Sequence, residues 1–68
     1  MHDGRLIRSL RISKKLTQAE LAEGICSKTS LVGLEKGTVR KIAFTTLQAI
    51  LARLNVSLAE YEVLRHRL

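Results

Sequence analysis

The chain has 68 residues, 46% of them apolar and none of them proline, so it can close one hydrophobic core and is too short for two domains. It lacks the stretch of about 18 apolar residues that a membrane span needs and begins without the apolar segment of a secretory signal, which predicts a cytoplasmic protein. Twelve lysines and arginines against six acidic residues give a net charge of +6, which favours a polyanionic partner, either nucleic acid or an acidic membrane surface.

Composition also argues against several classes of site. Cys26 is the single cysteine, so the chain forms no internal disulfide and lacks the Cys and His set of a structural zinc site. Phe44 and Tyr61 are its two aromatic residues, too few for the stacking platform of a single-strand nucleic-acid binder. The sequence shows no glycine-rich phosphate loop, no carboxylate pair in an apolar setting and no histidine at metal-ligand spacing. It therefore predicts neither an enzyme nor a metal or cofactor site.

The first two predicted helices follow from apolar spacing and capping residues. The apolar residues of the first segment have helical spacing: Leu6, Ile7 and Leu10. They predict a helix over about residues 3–14, with Asp3 as a possible N-cap. A capping box at residues 17–20, in which a threonine and a glutamate bond each other's backbone N–H groups, begins a second, short helix. Gly24 then permits the positive φ with which a helix often ends.

A third helix and a basic loop come next. Ser27 can cap this helix, and Leu31 and Leu34, three residues apart, must point to the core together. Lys36-Gly37 ends it. Residues 36–43 have no apolar period and carry several basic and polar side chains, which predicts a polar, basic loop.

Two further helices complete the chain. The fourth has an apolar stripe at i, i+3, i+4 and i+7: Leu47, Ile50, Leu51 and Leu54. Thr45 or Thr46 can cap it, and Asn55 can stop it. A second capping box at residues 57–60 begins the fifth helix, whose inward positions are predicted as Leu58, Tyr61, Leu64 and Leu68. The sequence thus predicts an all-α domain of five short helices over residues 1–68.

The second and third predicted helices, joined by a tight turn and followed by a basic loop, have the pattern of a helix-turn-helix. With Leu31 and Leu34 turned inward, the outward side of the third helix holds small, polar and basic residues: Lys28, Thr29, Val32, Gly33 and Lys36. Such a surface suits a DNA major groove, because short side chains allow close approach, hydroxyls and lysines read base edges and a valine contacts a thymine methyl. A helix that simply faces solvent has a similar surface. The elements before and after the third helix must therefore decide between DNA binding and simple solvation.

Those flanking elements carry a family signature in two segments, Leu16-Thr17-Gln18-Ala19-Glu20-Leu21-Ala22 and Ser27-Lys28-Thr29-Ser30-Leu31-Val32-Gly33-Leu34-Glu35-Lys36-Gly37. They resemble the xenobiotic-response-element (Cro/repressor-type) helix-turn-helix family. With Leu10-Arg11 upstream and Leu54-Asn55-Val56-Ser57 downstream, the resemblance covers nearly the whole chain. It implies a bacterial transcriptional regulator that binds double-stranded DNA with the third helix, residues 27–36, in the major groove.

Within that family, the turn Gly24-Ile25-Cys26-Ser27-Lys28 is most similar to the N-terminal domain of Rgg/PlcR-type regulators. Those regulators carry a C-terminal repeat array that binds a peptide pheromone, so a pheromone is expected as a ligand only if such an array exists. The chain is then either an excised DNA-binding domain or a stand-alone repressor. Gly33 stands where many relatives place a long base-reading side chain, which predicts weaker discrimination between sequences.

The outward side of the third helix and the resemblance together imply roles for individual residues. Base edges would be contacted by Lys28, Thr29, Ser30 and Val32. Phosphates would be contacted by Thr17, Gln18, Ser27, Lys36, Thr38, Arg40 and Lys41. Arg11 and Glu35 stand where repressor-type relatives pair an arginine with a glutamate, which implies a partly buried ion pair between the first and third helices.

The partner remains open to other interpretations. One short domain covers only a half-site, so a homodimer is expected on DNA. The fifth helix would be its interface, but only Val63 adds apolar surface among Glu62, Arg65 and Arg67, so the isolated domain should associate weakly. An antitoxin-like or adaptor module that binds a protein is the alternative from another class. A basic membrane helix is less favoured, because the apolar faces are needed for the core.

Overall fold

The computed structural model describes residues 3–39 and 41–67, apart from the side chain of Asp3. Five helices run through this part of the chain: α1 (Asp3–Ser13), α2 (Gln18–Ala22), α3 (Lys28–Lys36), α4 (Phe44–Arg53) and α5 (Leu58–Arg65). No strand occurs among these residues, and none of their helices is long and apolar enough to cross a membrane. The predicted all-α architecture of five helices is confirmed.

Side-chain caps begin three of these helices where the sequence predicts them. The Thr17 hydroxyl accepts the Glu20 N–H at 3.0 Å, and the Glu20 carboxylate accepts the Thr17 N–H at 2.8 Å. This second bond lowers the pKa of Glu20 below its usual value, since a hydrogen bond from the backbone favours the charged carboxylate. Ser57 and Glu60 form the same reciprocal box at the start of α5, and Ser27 accepts the Ser30 N–H at 3.0 Å to begin α3.

The start of α4 differs from the prediction. Ala43 is its N-cap, without a side-chain bond, and Thr45 and Thr46 both lie inside the helix, so the prediction that one of them caps it is wrong. Ile42, just before the helix, packs against the core. This packing explains the early start, because it fixes where the chain enters the helix without a capping hydroxyl. Asn55 follows α4 with φ 59°, the left-handed conformation expected of a residue that stops a helix.

The inward side of α5 is narrower than predicted. Tyr61 is fully buried and Leu64 packs against the core, whereas Leu58 is 41% exposed. Successive steps of three residues rotate around a helix by about 60° each, so Leu58 falls at the edge of the side that Tyr61 and Leu64 define. Asp3 is the first residue of α1, but its predicted capping side chain lies outside the described part of the chain, as does Leu68.

The core joins all five helices, and its most buried members come from each of them or from just beyond an end: Ile7, Leu21, Leu31, Ile50, Leu54 and Tyr61. α1 and α3 approach most closely at Gly4, where a Cβ atom would lie only 1.8 Å from the backbone oxygen of Leu34. No side chain fits at that distance, so the packing of α1 on α3 requires glycine at position 4. This contact fixes the side of α3 that faces the core, which we call its inner side.

Candidate nucleic-acid interface

Residues 23–27 form the turn between α2 and α3. Gly24 adopts φ 74°, and the backbone N–H groups of Ile25 and Cys26 both donate to the oxygen of Ala22, at 2.9 and 3.0 Å. The side chains of Ile25 and Cys26 are half-buried against the core. The turn is therefore held by its backbone and by apolar packing, and it presents Ser27 in position to cap α3.

Arg53 also holds this turn, by contacting the end of α2, a role that sequence reasoning missed. From the end of α4 its Nη1 atom donates to the backbone oxygen of Glu20 at 3.1 Å, and also to those of Glu23 and Leu21. A guanidinium there satisfies carbonyl groups at the end of α2 and suits the negative end of that helix dipole. The contact spans about thirty residues of sequence, and no local spacing rule could have indicated it.

The two sides of α3 have different surroundings. Leu31, Leu34 and Glu35 are buried, as the predicted inward orientation requires. Most side chains on the opposite side or at the first turn are exposed: Lys28, Thr29, Ser30 and Lys36. Val32 is half-buried. We call the residues Lys28, Thr29, Val32, Gly33 and Lys36 the outer face of α3.

A buried ion pair links α1 to the end of α3. Arg11 Nε lies 2.8 Å from Glu35 Oε2, and Arg11 Nη2 lies 3.0 Å from Glu35 Oε1, while the side chains are only 12% and 2% exposed. Nη1 of the same arginine donates to the Leu16 oxygen at 2.9 Å. The hydrogen bond to Glu35 and its negative charge outweigh burial and raise the pKa of Arg11 above its usual value. This is the ion pair that the resemblance implies.

Gln18 belongs to the same network. Its Nε2 atom donates to Glu35 Oε1 at 3.2 Å, so one amide hydrogen is used inside the domain. The same amide is the group for which the resemblance implies a phosphate contact. Gln18 therefore connects the buried ion pair to the start of α2, a link that sequence reasoning did not include.

Two hydroxyl groups expected at phosphates are already hydrogen-bonded. Ser27 Oγ donates to Ser30 Oγ at 2.9 Å, and Thr38 Oγ1 donates to the Gly33 oxygen at 3.2 Å. Because a phosphate oxygen only accepts hydrogen bonds, either hydroxyl must give up its bond before it can donate to one. Thr17 differs, since its hydroxyl serves as an acceptor in the capping box and keeps its own hydrogen.

The charged groups expected at phosphates lie at the end of α3 and in the loop after it. Lys36 and Lys41 are both exposed. Arg40, the third of these cations, lies outside the described residues. The described surface therefore places one candidate phosphate-binding lysine at the end of α3 and another in the loop that follows.

Gly33 is not simply a position that lacks a side chain. A Cβ atom there would lie 2.7 Å from Val39 Cγ2 and 3.2 Å from Thr38 Oγ1. The Gly33 oxygen accepts the backbone N–H groups of Thr38 at 2.9 Å and Val39 at 3.0 Å. The loop folds back onto α3 here, so a long base-reading side chain at position 33 would collide with it.

Comparison with known proteins gives one match. Residues 7–61 match the sequence model of a helix-turn-helix family, a range that contains the whole of α2, α3 and α4. No curated protein and no solved structure matches the chain. The family is one of DNA-binding domains rather than of enzymes, and it binds double-stranded DNA. Because the match covers most of the chain and the α2–turn–α3 geometry agrees with it, the protein belongs to the helix-turn-helix family.

Proposed function

We propose that residues 1–68 form the DNA-binding domain of a transcriptional regulator, which recognises a specific duplex sequence by inserting α3 into the major groove. The observation that carries this proposal is the division of α3 into a buried side and an exposed outer face. Lys28 and Thr29 project from its first turns, where a helix entering the groove contacts base edges. Ser30 and Val32 flank them.

Electrostatic attraction would supply most of the affinity. The chain carries +6, and residues 1–41 hold nine of its twelve basic side chains. In this proposal Lys36, Arg40 and Lys41 bind phosphates after α3, while Thr17 and Gln18 bind a phosphate at the start of α2. Ser27 and Thr38 would join them only after releasing their present hydrogen bonds.

Selection of bound duplexes from a random pool tests this function. We expect one preferred sequence and an affinity that falls steeply with salt, because each neutralised phosphate releases counterions. Lys41→Ala should weaken binding to all duplexes alike and lower the salt slope by about one. Arg67→Ala, which removes an exposed positive charge near the other end of the domain, serves as the control for a charge change outside the interface. Recovery of no preferred duplex, together with a protein complex that duplex DNA cannot dissolve, would replace this proposal with an antitoxin or adaptor role.

We also propose that two copies bind one operator. One domain covers a half-site, and a two-fold dimer matches a palindrome whose halves lie about one helical turn apart. Two apolar side chains of α5 are exposed, Leu58 at 41% and Val63 at 55%, but they lie on different sides of the helix, so the continuous apolar contact that α5 offers is small. We expect sedimentation to show a monomer in solution and two copies on a palindromic duplex; a tight dimer without DNA would favour a stand-alone repressor.

The similarity to Rgg/PlcR-type regulators is a finer part of the proposal. It is supported by the turn, where Ile25 and Cys26 occupy half-buried positions against the core. In such a regulator a C-terminal repeat array would bind a peptide pheromone and supply most of the dimer contact. Sequencing the coding region downstream of Leu68 in the source genome distinguishes this arrangement from a stand-alone repressor.

A further inference from the structure

The loop after α3 contributes a side chain to the outer face of the helix. Thr29 and Gly33 are four residues apart, so they lie on the same side of α3, one turn from each other. The Val39 side chain covers Gly33, within 2.7 Å of the place where a Cβ would stand. Val39 therefore occupies the space that a side chain at position 33 would fill, one helical turn along α3 from Thr29.

The backbone holds this arrangement in place. Thr38 and Val39 both donate their N–H groups to the Gly33 oxygen, and the Thr38 hydroxyl donates to the same atom. Gly37, with φ 84°, makes the reversal that brings the loop back. Val39 is only half-buried, so part of the residue stays accessible to solvent or to a partner.

We propose that Val39 is a specificity-determining residue, which provides from the loop the base contact that α3 lacks at Gly33. This inference rests on the proposed binding of α3 in the major groove. A valine side chain has neither donor nor acceptor, so the group that it recognises must be apolar. In the major groove that group is the C5 methyl of thymine. Val39 therefore selects a thymine next to the base pair that Thr29 contacts.

A purely structural role for Val39 has a different consequence. If the side chain only pins the loop to Gly33, its loss displaces the phosphate-binding cations of the loop and weakens all duplexes equally. If it reads a base, its loss changes the preference at one base pair. Replacement of thymine by deoxyuridine separates these roles, because it removes only the methyl group.

The test uses the duplex selected by the wild-type chain, with each thymine replaced singly by deoxyuridine. We expect one replacement, separate from any thymine that Val32 contacts, to weaken wild-type binding about fourfold, the effect of one methyl group removed from an apolar contact. The same replacement should leave the affinity of Val39→Ala unchanged. Val63→Ala, which truncates an exposed valine on α5, is the matched control and should keep the wild-type sensitivity.

Two further results would overturn the inference. One is a Val39→Ala variant that keeps the full deoxyuridine profile of the wild type; the other is a uniform loss of affinity with unchanged base preference. If the wild-type chain selects no duplex at all, the proposed function itself is wrong. This result differs from the two results above, which contradict only the role of Val39. Should Val39→Ala unfold, Val39→Thr repeats the comparison, because threonine keeps the branched shape that packs on Gly33 and replaces one of the two methyl groups with a hydroxyl.

Discussion

The inner side of α3 is held by close backbone contact, apolar burial and an ion pair, whereas Lys28 and Thr29 on its outer face lie exposed. The inner side tolerates little change, because a Cβ at Gly4 would collide with the Leu34 oxygen and the Glu35 carboxylate is hydrogen-bonded to Arg11. Lys28 and Thr29 can vary without disturbing that packing, because both are exposed. The domain thus holds α3 in place through one side and leaves exposed side chains on the other side free to change.

The strongest test of the inner side removes one partner of the ion pair. Arg11→Ala should lower the free energy of unfolding by about 3–5 kcal/mol, because it leaves the carboxylate of Glu35 buried without its partner. DNA binding should be lost as well, through displacement of α3. Replacement of both partners by apolar residues, Arg11→Met/Glu35→Leu, should cost much less. Chemical denaturation of the single and double variants measures this difference. A loss below about 1 kcal/mol for Arg11→Ala would show that the pair contributes no more to stability than an exposed ion pair.

A second change on the inner side adds a single methyl group. Gly4→Ala should lower the free energy of unfolding by about 3 kcal/mol or more, because the new Cβ collides with the Leu34 oxygen and the backbone of α3 must move. Gly24→Ala is the comparison variant, since open space surrounds that position and only its positive φ opposes a side chain. Thermal unfolding of both variants measures the two effects, and equal stability would contradict the close approach of α1 and α3.

Arg53 contacts the turn between α2 and α3. Arg53→Met keeps much of the side-chain volume but removes the donor to the end of α2, and we expect a loss of about 1 kcal/mol, the usual net contribution of such a hydrogen bond. Arg67→Met is the control for the lost charge. Hydrogen exchange at the N–H groups of Ile25 and Cys26 should accelerate in Arg53→Met alone. Unchanged exchange there would show that the guanidinium does not hold the turn.

The smallest expected effect concerns pH. The pKa of Glu20 is lowered in the folded state by its bond from Thr17 N–H, so its contribution to stability is present above the unfolded-state value of 4.5 and is lost as the pH falls through the lower, folded-state pKa. Glu20→Gln should flatten the decline in stability below about pH 4.5. Glu23→Gln is the control, and denaturation across the acid range measures both. An identical decline in Glu20→Gln and the wild type would contradict the effect.

Local rules predicted most of the fold. The capping boxes at Thr17 and Ser57, the cap at Ser27 and the stop at Asn55 all depend on neighbouring residues, and the sequence contains them directly. α4 begins before the threonines predicted to cap it, because its start depends on a tertiary contact, the packing of Ile42 against the core. For the same reason Gly4 could not be predicted as a contact: its importance depends on a backbone oxygen thirty residues away.

Parts of the candidate interface were predictable to different degrees. The exposure of Lys28 and Thr29 follows from helical period once Leu31 and Leu34 point inward. The link from Gln18 to Glu35, the clamp of Arg53 and the position of Val39 over Gly33 join residues that are distant in sequence or separated by an irregular loop. No periodic pattern encodes such contacts.

The proposal that the outer face of α3 selects DNA sequence, while its inner side only supports the fold, has one direct test. Duplex selection is repeated with Lys28→Ala and Thr29→Ala, alongside their free energies of unfolding. We expect unfolding free energies within about 0.5 kcal/mol of wild type and a loss of about 1–3 kcal/mol in discrimination for each good base contact removed. Variants that keep both the wild-type affinity and the wild-type selected sequence would contradict it.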